Sequence, residues 1–211
     1  MKQFRDRTAV ITGAASGIGL ELARRAAAEG MRLVLADIEF GRLQEAAATL
    51  ELPAERLLLQ KTDVCHEAEI AALAEAAFAR FSGVHLLCNN AGVGLSRVTW
   101  EHSTADWEWV LGVNLWSVIH GIQHFLPKML AQGDEGHVVN TSSAAGLSAA
   151  YEERMGQAVK SGRLTAADMA DEVFAAVGEG RFYVIPHRKI NDAIRLRMED
   201  IMNLRNPTPM E

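Results

Sequence analysis

A glycine-rich run near the start of the chain contains the residue types best suited to hold a phosphate group. Residues 12–19 read Thr-Gly-Ala-Ala-Ser-Gly-Ile-Gly, between a short apolar run and a helical period. Glycines let the backbone turn tightly and let a pyrophosphate approach main-chain N–H groups, while a helix N-terminus adds a favourable dipole. Any tight strand-to-helix turn can use glycine, but this position within a strand–helix–strand unit favours a dinucleotide site. The residues predicted to contact the dinucleotide here are Gly13, Ala15, Ser16, Gly17, Ile18 and Gly19.

An acidic residue at the end of the second predicted strand fits the same ligand. Asp37 follows Gly19 by 18 residues, where a carboxylate can accept hydrogen bonds from the adenosine ribose hydroxyls. A 2′-phosphate would meet its negative charge, and no arginine or lysine immediately follows it. This favours NAD over NADP. The alternative is that Asp37 simply begins a loop, as aspartate often does.

The elements that must position these residues alternate between short apolar runs and longer helical periods. Such alternation predicts an α/β fold with a doubly wound parallel sheet, the Rossmann arrangement, covered by helices on both faces. The predicted strands are Thr8–Ile11, Arg32–Ala36, Arg56–Gln60, Val84–Cys88 and His137–Asn140. The predicted helices between them are Gly17–Glu29, Gly41–Leu50, Glu67–Phe81 and Asp106–Leu130.

The carboxy-terminal part predicts three further elements. Thr165 opens a helix with Asp168 as a capping-box partner, and Gly178 marks its end. Arg181–Pro186 reads as a last strand, and 189–204 as an amphipathic helix.

Length and composition limit the class of protein. The 211 residues allow one sizeable core, so we expect a single Rossmann domain over residues 1–211. With 27 acidic against 21 basic side chains and a net charge of −6, nucleic acid is a poor partner. The two cysteines, the start of the chain without a signal-like apolar core, and the lack of eighteen consecutive apolar residues predict a cytoplasmic protein that does not enter a membrane.

Four further motifs carry a family resemblance. Residues 88–92 read Cys-Asn-Asn-Ala-Gly, residues 138–143 read Val-Val-Asn-Thr-Ser-Ser, residues 62–64 read Thr-Asp-Val, and Val113 precedes Asn114. With the glycine run, these motifs resemble the short-chain dehydrogenase/reductase family in their order and in their predicted elements, continuously over residues 1–150. Singly, each asparagine could be a turn former or a satisfied helix residue.

The resemblance implies an enzyme that transfers a hydride between NAD and a small alcohol or ketone. It implies that Ser143 orients the substrate oxygen and that Asn114 takes part in proton relay. It also implies a homodimer or homotetramer built on the long fourth helix. The cofactor contacts that it adds are Asp63, Val64, Asn90, Ala91 and Gly92.

One part of the family's apparatus is absent from the sequence. The family uses a Tyr-x-x-x-Lys pair on one helical face, where the lysine ammonium lowers the pKa of the tyrosine that moves the proton. Tyr151 is followed four residues later by Met155, and Tyr183 by His187. About two supersecondary units, roughly 60 residues, are missing at a seam near residues 150–151.

Two interpretations of the seam stay open. A longer form of the chain contains the segment, or the deletion is genuine and the chain is a catalytically silent NAD-binding sensor or interaction module. A nucleotide-binding methyltransferase would share the glycine run and Asp37, but it has no use for the Asn90–Gly92 and Ser143 motifs.

Other reactive side chains favour structural roles. His120 and His124, four apart on the fourth helix, suit packing or an interface better than a metal, and no metal site is predicted. Trp109 and Trp116 are predicted to pack against the core or a second subunit. Cys65 is predicted to be an inert thiol, although it precedes a helix.

Overall fold

Five parallel strands form the sheet of the protein. The computed structural model describes residues 1–95, 99–143, 164–206 and 208. The strands are β1 Thr8–Thr12, β2 Arg32–Asp37, β3 Leu57–Lys61, β4 Leu86–Asn89 and β5 His137–Asn140. Their order in the sheet is β3-β2-β1-β4-β5, which confirms the predicted doubly wound arrangement. Every predicted strand up to β5 agrees with the structure to within two residues.

Helices cover both faces of this sheet, and the alternation of side chains along β1 shows how. Ala9 and Ile11 face one apolar cluster, while Val10 faces the other. The first cluster is closed by α1 (Gly17–Ala28), α2 (Phe40–Ala48) and α6 (Ala166–Glu179), and the second by α3 (Glu67–Phe81) and α5 (Ser117–Ala131). Successive side chains of a strand point to opposite faces, so both faces of β1 are buried. The helices are α1 Gly17–Ala28, α2 Phe40–Ala48, α3 Glu67–Phe81, α4 Thr104–Leu111, α5 Ser117–Ala131, α6 Ala166–Glu179 and α7 Arg188–Met202.

The long fourth helix of the prediction is divided in the structure. A π-helical turn, Gly112–Trp116, separates α4 from α5, so the prediction of one helix over Asp106–Leu130 is corrected. Gly112 packs against the loop that precedes α3, because a Cβ at Gly112 would lie 3.2 Å from Sγ of Cys65 in that loop. π-turns inside helices are frequent at functional sites, and this one contains Asn114.

The prediction at the start of α6 is confirmed, and its end is displaced. Thr165 Oγ1 accepts from the Asp168 N–H at 3.2 Å, and the Asp168 carboxylate accepts from the Thr165 N–H at 2.7 Å. The helix continues past Gly178 and ends at Glu179, and the following Gly180 has a φ of +73°, the left-handed cap that glycine favours.

The predicted last strand, Arg181–Pro186, is wrong. The segment between α6 and α7 forms no strand, and Phe182 and Tyr183 are 89% and 75% exposed. A strand depends on hydrogen bonds to a neighbouring strand, and the segment has none in the described sheet. Its aromatic and β-branched composition alone therefore does not make it a strand.

The order of the strands creates a crevice at one edge of the sheet. From β1 the chain moves outwards to β2 and β3, then returns to β4 on the other side of β1. In such sheets ligands bind beyond the carboxyl ends of the strands at the point where the order reverses. Here that point lies between β1 and β4. Among the described helices, none has the length and apolar character needed to span a bilayer.

Candidate dinucleotide site

The glycine run lies at the reversal point and depends on close backbone packing. Gly13 has a φ of +66°, and a Cβ there would lie 2.9 Å from the Ala91 Cα. A Cβ at Gly19 would overlap the carbonyl oxygen of Gly13 and lie 2.7 Å from Nδ2 of Asn90. Since α1 begins directly after the turn, these two glycines let helix, turn and the segment after β4 meet at backbone distance.

The N-terminus of α1 is left open to an anion. Ser16 is the N-cap residue, yet its side chain makes no capping hydrogen bond, and the first turn contains no acidic residue. The first four N–H groups of a helix have no partner within the helix. Ser16 and Gly17 are exposed, with Gly17 at a φ of +53° and open space where a Cβ would be. Together with the helix dipole, this arrangement is suited to a phosphate.

Asp37 is joined directly to the glycine run. Its Oδ2 accepts a hydrogen bond from the Ala15 N–H at 3.0 Å, and its Oδ1 accepts from the Glu39 N–H at 3.0 Å. The half-buried carboxylate therefore has one side held by the loop and lies at the carboxyl end of β2. The structure thus brings together two features 18 residues or more apart in sequence.

The segment after β3 has a turn of its own. Asp63 Oδ1 accepts from the Cys65 N–H at 3.0 Å, and Glu69 Oε2 accepts from the Asp63 N–H at 2.7 Å. Val64 is buried in the cluster beneath the sheet. Its side chain is a core residue, so only its backbone is available to a ligand.

The segment after β4 is fastened by a residue that sequence reasoning missed. Thr12 Oγ1 accepts from the N–H groups of Asn90 and Ala91, at 3.0 and 3.1 Å, and donates to the Cys88 carbonyl at 3.3 Å. In return, Asn90 Nδ2 donates to the Thr12 carbonyl at 3.0 Å. The sequence signal was a hydroxyl residue at the end of β1, directly after three apolar residues. Gly92 follows and is exposed.

One predicted catalytic residue contacts the segment that follows β4, and the other follows β5. Asn114, in the π-turn, accepts from the Val93 N–H at 2.9 Å and donates to the Val93 carbonyl at 2.8 Å. Both polar atoms of its amide therefore fix the segment that follows Gly92. Ser143 is exposed, three residues past the end of β5. The roles of the two residues in chemistry stay predictions.

The remaining reactive side chains have structural environments. His124 Nε2 lies 3.1 Å from Glu67 Oε1 and His120 Nε2 lies 3.9 Å from Glu67 Oε2. His120 also stacks on Trp116. Within the described ranges no group of three or more histidine, cysteine or acidic residues is arranged to hold a metal ion. Burial, followed by the charge of Asp63, raises the pKa of the Cys65 thiol, which agrees with the predicted inert thiol.

The prediction that Trp109 and Trp116 pack against the core or a second subunit can be compared with the structure for the core alone. Trp109 and Trp116 are 45% and 50% exposed, so the described core does not bury them. A second subunit remains the predicted partner. The seam near residues 150–151, with Tyr151, lies outside the described residues.

The geometry defines a Rossmann-type dinucleotide-binding class, and comparisons with known proteins give the family. A sequence model of the short chain dehydrogenase family matches residues 7–173. The chain belongs to this family of oxidoreductase enzymes.

Individual relatives agree with that assignment. A dehydrogenase/reductase of CLA biosynthesis from Lactiplantibacillus plantarum is 36% identical over 147 residues, which are 70% of this chain and 51% of that protein. A short chain dehydrogenase/reductase from Burkholderia phymatum, crystallised with NAD, is 35% identical with a TM-score of 0.93, and the match covers 100% of both chains. A metagenomic short-chain oxidoreductase crystallised with NADP is 26% identical with a TM-score of 0.72, covering 83% of this chain and 91% of that one. The chain spans about half the length of the curated relatives it matches.

Proposed function

We propose that this chain binds NAD(H) in preference to NADP(H), as the dinucleotide-binding part of an oxidoreductase acting on a small alcohol or carbonyl compound. The observation that carries the proposal is the hydrogen bond of 3.0 Å from the Ala15 N–H to the Asp37 carboxylate. It holds the acid suited to a ribose next to the loop suited to a pyrophosphate. The bound NAD of the Burkholderia phymatum relative supports the same cofactor class.

The residues present fit a dinucleotide in shape and charge. Gly13 and Gly19 let the turn, α1 and the segment after β4 pack at backbone distance, and the space beside Gly17 is open. The open N-terminus of α1 suits the pyrophosphate, and Asp37 suits the ribose hydroxyls. Asp63 and Val64 would line the adenine, and Asn90, Ala91 and Gly92 the nicotinamide ribose side of the crevice.

The preference for NAD(H) rests on charge. The Asp37 carboxylate lies at the end of β2, and no arginine or lysine immediately follows it in sequence. A 2′-phosphate placed against Asp37 would be repelled, whereas a 2′-hydroxyl can donate to it. One relative was crystallised with NADP, so membership of the family does not by itself select the cofactor. The preference for NAD(H) is therefore proposed from the residues at the end of β2 in this chain.

The redox chemistry itself belongs to the cofactor, since the nicotinamide ring supplies or accepts the hydride. Ser143 would hold the substrate oxygen through its hydroxyl. Asn114 would keep the segment after Gly92 in place through its two bonds to Val93. The sequence contains no Tyr-x-x-x-Lys pair that could donate or accept the proton at the substrate oxygen.

That absence favours a second candidate, a catalytically silent NAD-binding sensor or interaction module. Both candidates predict nucleotide binding, and only one predicts turnover. Neither requires nucleic acid or a membrane as a partner.

Two measurements test the proposal. In a calorimetric titration of the purified chain, NADH is expected to bind at one site per chain and at least tenfold more tightly than NADPH. Equal affinity would refute the preference, and no NADH binding would refute the proposal. Turnover is then followed through NADH absorbance with secondary alcohols and ketones. Complete silence with intact NADH binding would leave the module as the function of this chain.

Assembly and compartment follow as further proposals. Exposed Trp107, Trp109 and Trp116 on the π-turn and its flanking helices support a homodimer or homotetramer through this face. Sedimentation of the chain tests it, and a monomer at micromolar concentration would contradict it. Both cysteines are free, which suits the reducing cytoplasm.

A further inference from the structure

A hydrogen-bonded chain of side chains connects β5 with the glycine run. Thr141 directly follows β5, and its hydroxyl donates to Oδ1 of Asn90 at 3.1 Å. Nδ2 of the same Asn90 amide donates to the carbonyl of Thr12 at 3.0 Å and lies 3.5 Å from that of Gly13. One amide therefore bridges two strands, with its oxygen facing β5 and its nitrogen facing the phosphate-binding loop.

The backbone of Thr141 is fixed to the neighbouring strand β4 by a hydrogen bond. Its N–H donates to the carbonyl of Asn89 at 3.0 Å. One residue earlier, the amides of Asn89 and Asn140 pair at 2.9 Å across the register of β4 and β5. Asn89 is buried, and it packs so closely on α5 that a Cβ at Gly121 would overlap its amide oxygen. The Thr141 hydroxyl is thus presented by a rigid support.

We infer that Thr141 is a positioning residue for the dinucleotide site, because its hydroxyl anchors the Asn90 amide that contacts the Gly13 turn. This inference rests on the proposed NAD(H) binding and adds a residue to it. An amide can be turned by half a rotation, which would present oxygen instead of N–H to the two carbonyls. The carbonyls of Thr12 and Gly13 can only accept, so they select the orientation in which Nδ2 faces the loop. The Thr141 hydroxyl then donates to the remaining amide oxygen and holds the amide from the β5 side. A Cβ built at Gly19 would lie 2.7 Å from Nδ2 of Asn90. This close packing leaves little room for the Asn90 side chain to adopt another position.

The consequence for the loop is specific. Gly13 and Ala15 bracket the turn, and the Ala14 and Ala15 N–H groups donate to Ala36 O and to Asp37, at 3.2 and 3.0 Å. If the Asn90 amide is no longer anchored by Thr141, one of the contacts between the turn and the segment after β4 is weakened. Its amides should then open more often, even without nucleotide.

The experiment compares three variants with the unaltered chain. Thr141→Val keeps the shape and removes the hydroxyl, while Thr141→Ser keeps the hydroxyl. Thr49→Val is the matched control, since it removes a threonine hydroxyl at the end of α2 that donates to Ala46 O at 2.7 Å and accepts from Arg24 at 3.2 Å, with no bond to the glycine run or to Asn90. Each protein is titrated with NADH and measured for hydrogen exchange of the Gly13–Ala15 amides without nucleotide.

The Thr141→Val variant is expected to bind NADH about three- to tenfold more weakly, the factor associated with one hydrogen bond, and to exchange the Gly13–Ala15 amides faster. Thr141→Ser should match the unaltered chain in both respects, and so should Thr49→Val. Unchanged affinity and exchange in Thr141→Val would overturn the inference. If the unaltered chain binds no NADH, the proposed function fails, and the exchange comparison still decides whether Thr141 positions the turn.

Discussion

The two ends of the parallel sheet differ in how their polar groups are satisfied. The strands begin at the amino edge and end at the carboxyl edge. At the amino edge, His85 Nδ1 accepts from the Thr8 N–H at 3.1 Å, and the Gln132 amide both accepts from and donates to the backbone of Val84. Asp134 adds contacts to His85 and to Arg7. At the carboxyl edge, the N-terminus of α1 has no side-chain cap and no acid in its first turn. The amino edge is closed by its own side chains, whereas the carboxyl edge keeps donors for a ligand.

The same contrast appears among helix N-termini. The helices α4 and α6 each begin with a capping box, Ser103 with Asp106 and Thr165 with Asp168. Such boxes stabilise a helix by satisfying its first N–H groups. The helices α1, α2, α3 and α7 begin without a side-chain cap, and of these α1 begins at the point where a phosphate is expected. Leaving a helix start uncapped costs about 1 kcal/mol, which a bound pyrophosphate would offset.

The largest expected effect comes from filling the closest backbone approach at the carboxyl edge. Gly19→Ala places a Cβ against the Gly13 carbonyl, and overpacking of about 1–3 kcal/mol should weaken NADH binding about 10- to 100-fold. Calorimetric titration measures it.

The matched control for that change is Gly41→Ala, where a Cβ meets nothing within 4 Å. Alanine is the better helix former, so this variant should keep its NADH affinity and gain up to about 1 kcal/mol in free energy of unfolding. Equal NADH affinity in the two variants would contradict the close approach.

The next effect separates helix stability from ligand binding. Ser16→Asp supplies the α1 N-terminus with its own anion, which should stabilise the folded chain by about 0.3–1 kcal/mol. The same charge should repel a pyrophosphate and weaken NADH binding about tenfold. Denaturant unfolding and titration measure the two quantities on one protein.

Ser16→Asn is the neutral control, because it offers a similar cap without charge. Its NADH affinity should stay within about twofold of that of the unaltered chain. If Ser16→Asp binds NADH as well as Ser16→Asn does, the pyrophosphate does not lie at α1.

A smaller effect concerns the choice of cofactor. Asp37→Ser removes the ribose acceptor and the negative charge, and Lys61, the register partner of Asp37 on β3, remains. We expect NADH affinity to fall about fivefold to tenfold and NADPH affinity to rise, which paired titrations measure. An unchanged ratio of the two affinities would place the ribose elsewhere.

The smallest expected effect is a pH dependence of the free energy of unfolding, which originates at the amino edge. Burial, ahead of the charges of Arg7 and Arg32, lowers the pKa of His85 below its usual 6.5, although Asp134 opposes the shift. The unfolded chain therefore binds the proton more readily, and the free energy of unfolding should fall as the pH drops below about 6.5. A protonated ring would also present N–H to the Thr8 N–H.

Denaturant unfolding at pH 7 and pH 5 checks this, with His85→Asn as the variant whose amide oxygen can still accept from Thr8. That variant should show a smaller decrease between the two pH values. A slope equal to that of the unaltered chain would assign the effect to another group, of which His137, also with a lowered pKa, is the first candidate.

Most of the fold could be predicted from sequence because its elements are defined locally. Hydrophobic periodicity gave β5 and α3 with their bounds, and the Thr165–Asp168 pair gave the start of α6. The last strand failed because a strand needs a neighbour, which no local pattern supplies. The π-turn at Gly112–Trp116 was missed because its register change leaves the apolar pattern nearly continuous.

The candidate site was predictable where spacing along one strand–helix unit determined it, as for the glycine run and Asp37. Thr12 and Thr141 were not, because their partners lie across the sheet and depend on the pairing of β1, β4 and β5. Single hydroxyl residues at strand ends are common, and only the three-dimensional register shows which of them hold an asparagine in place.

Hydrogen exchange of the unaltered chain with and without NADH tests the central claim most directly, since it compares the two edges in one experiment. We predict slower exchange in residues 13–19, 37–39 and 90–94, and unchanged exchange in residues 84–86 and 132–137. Protection confined to the amino edge, or none at the glycine run with NADH bound, would contradict the assignment of the carboxyl edge as the NAD(H) site.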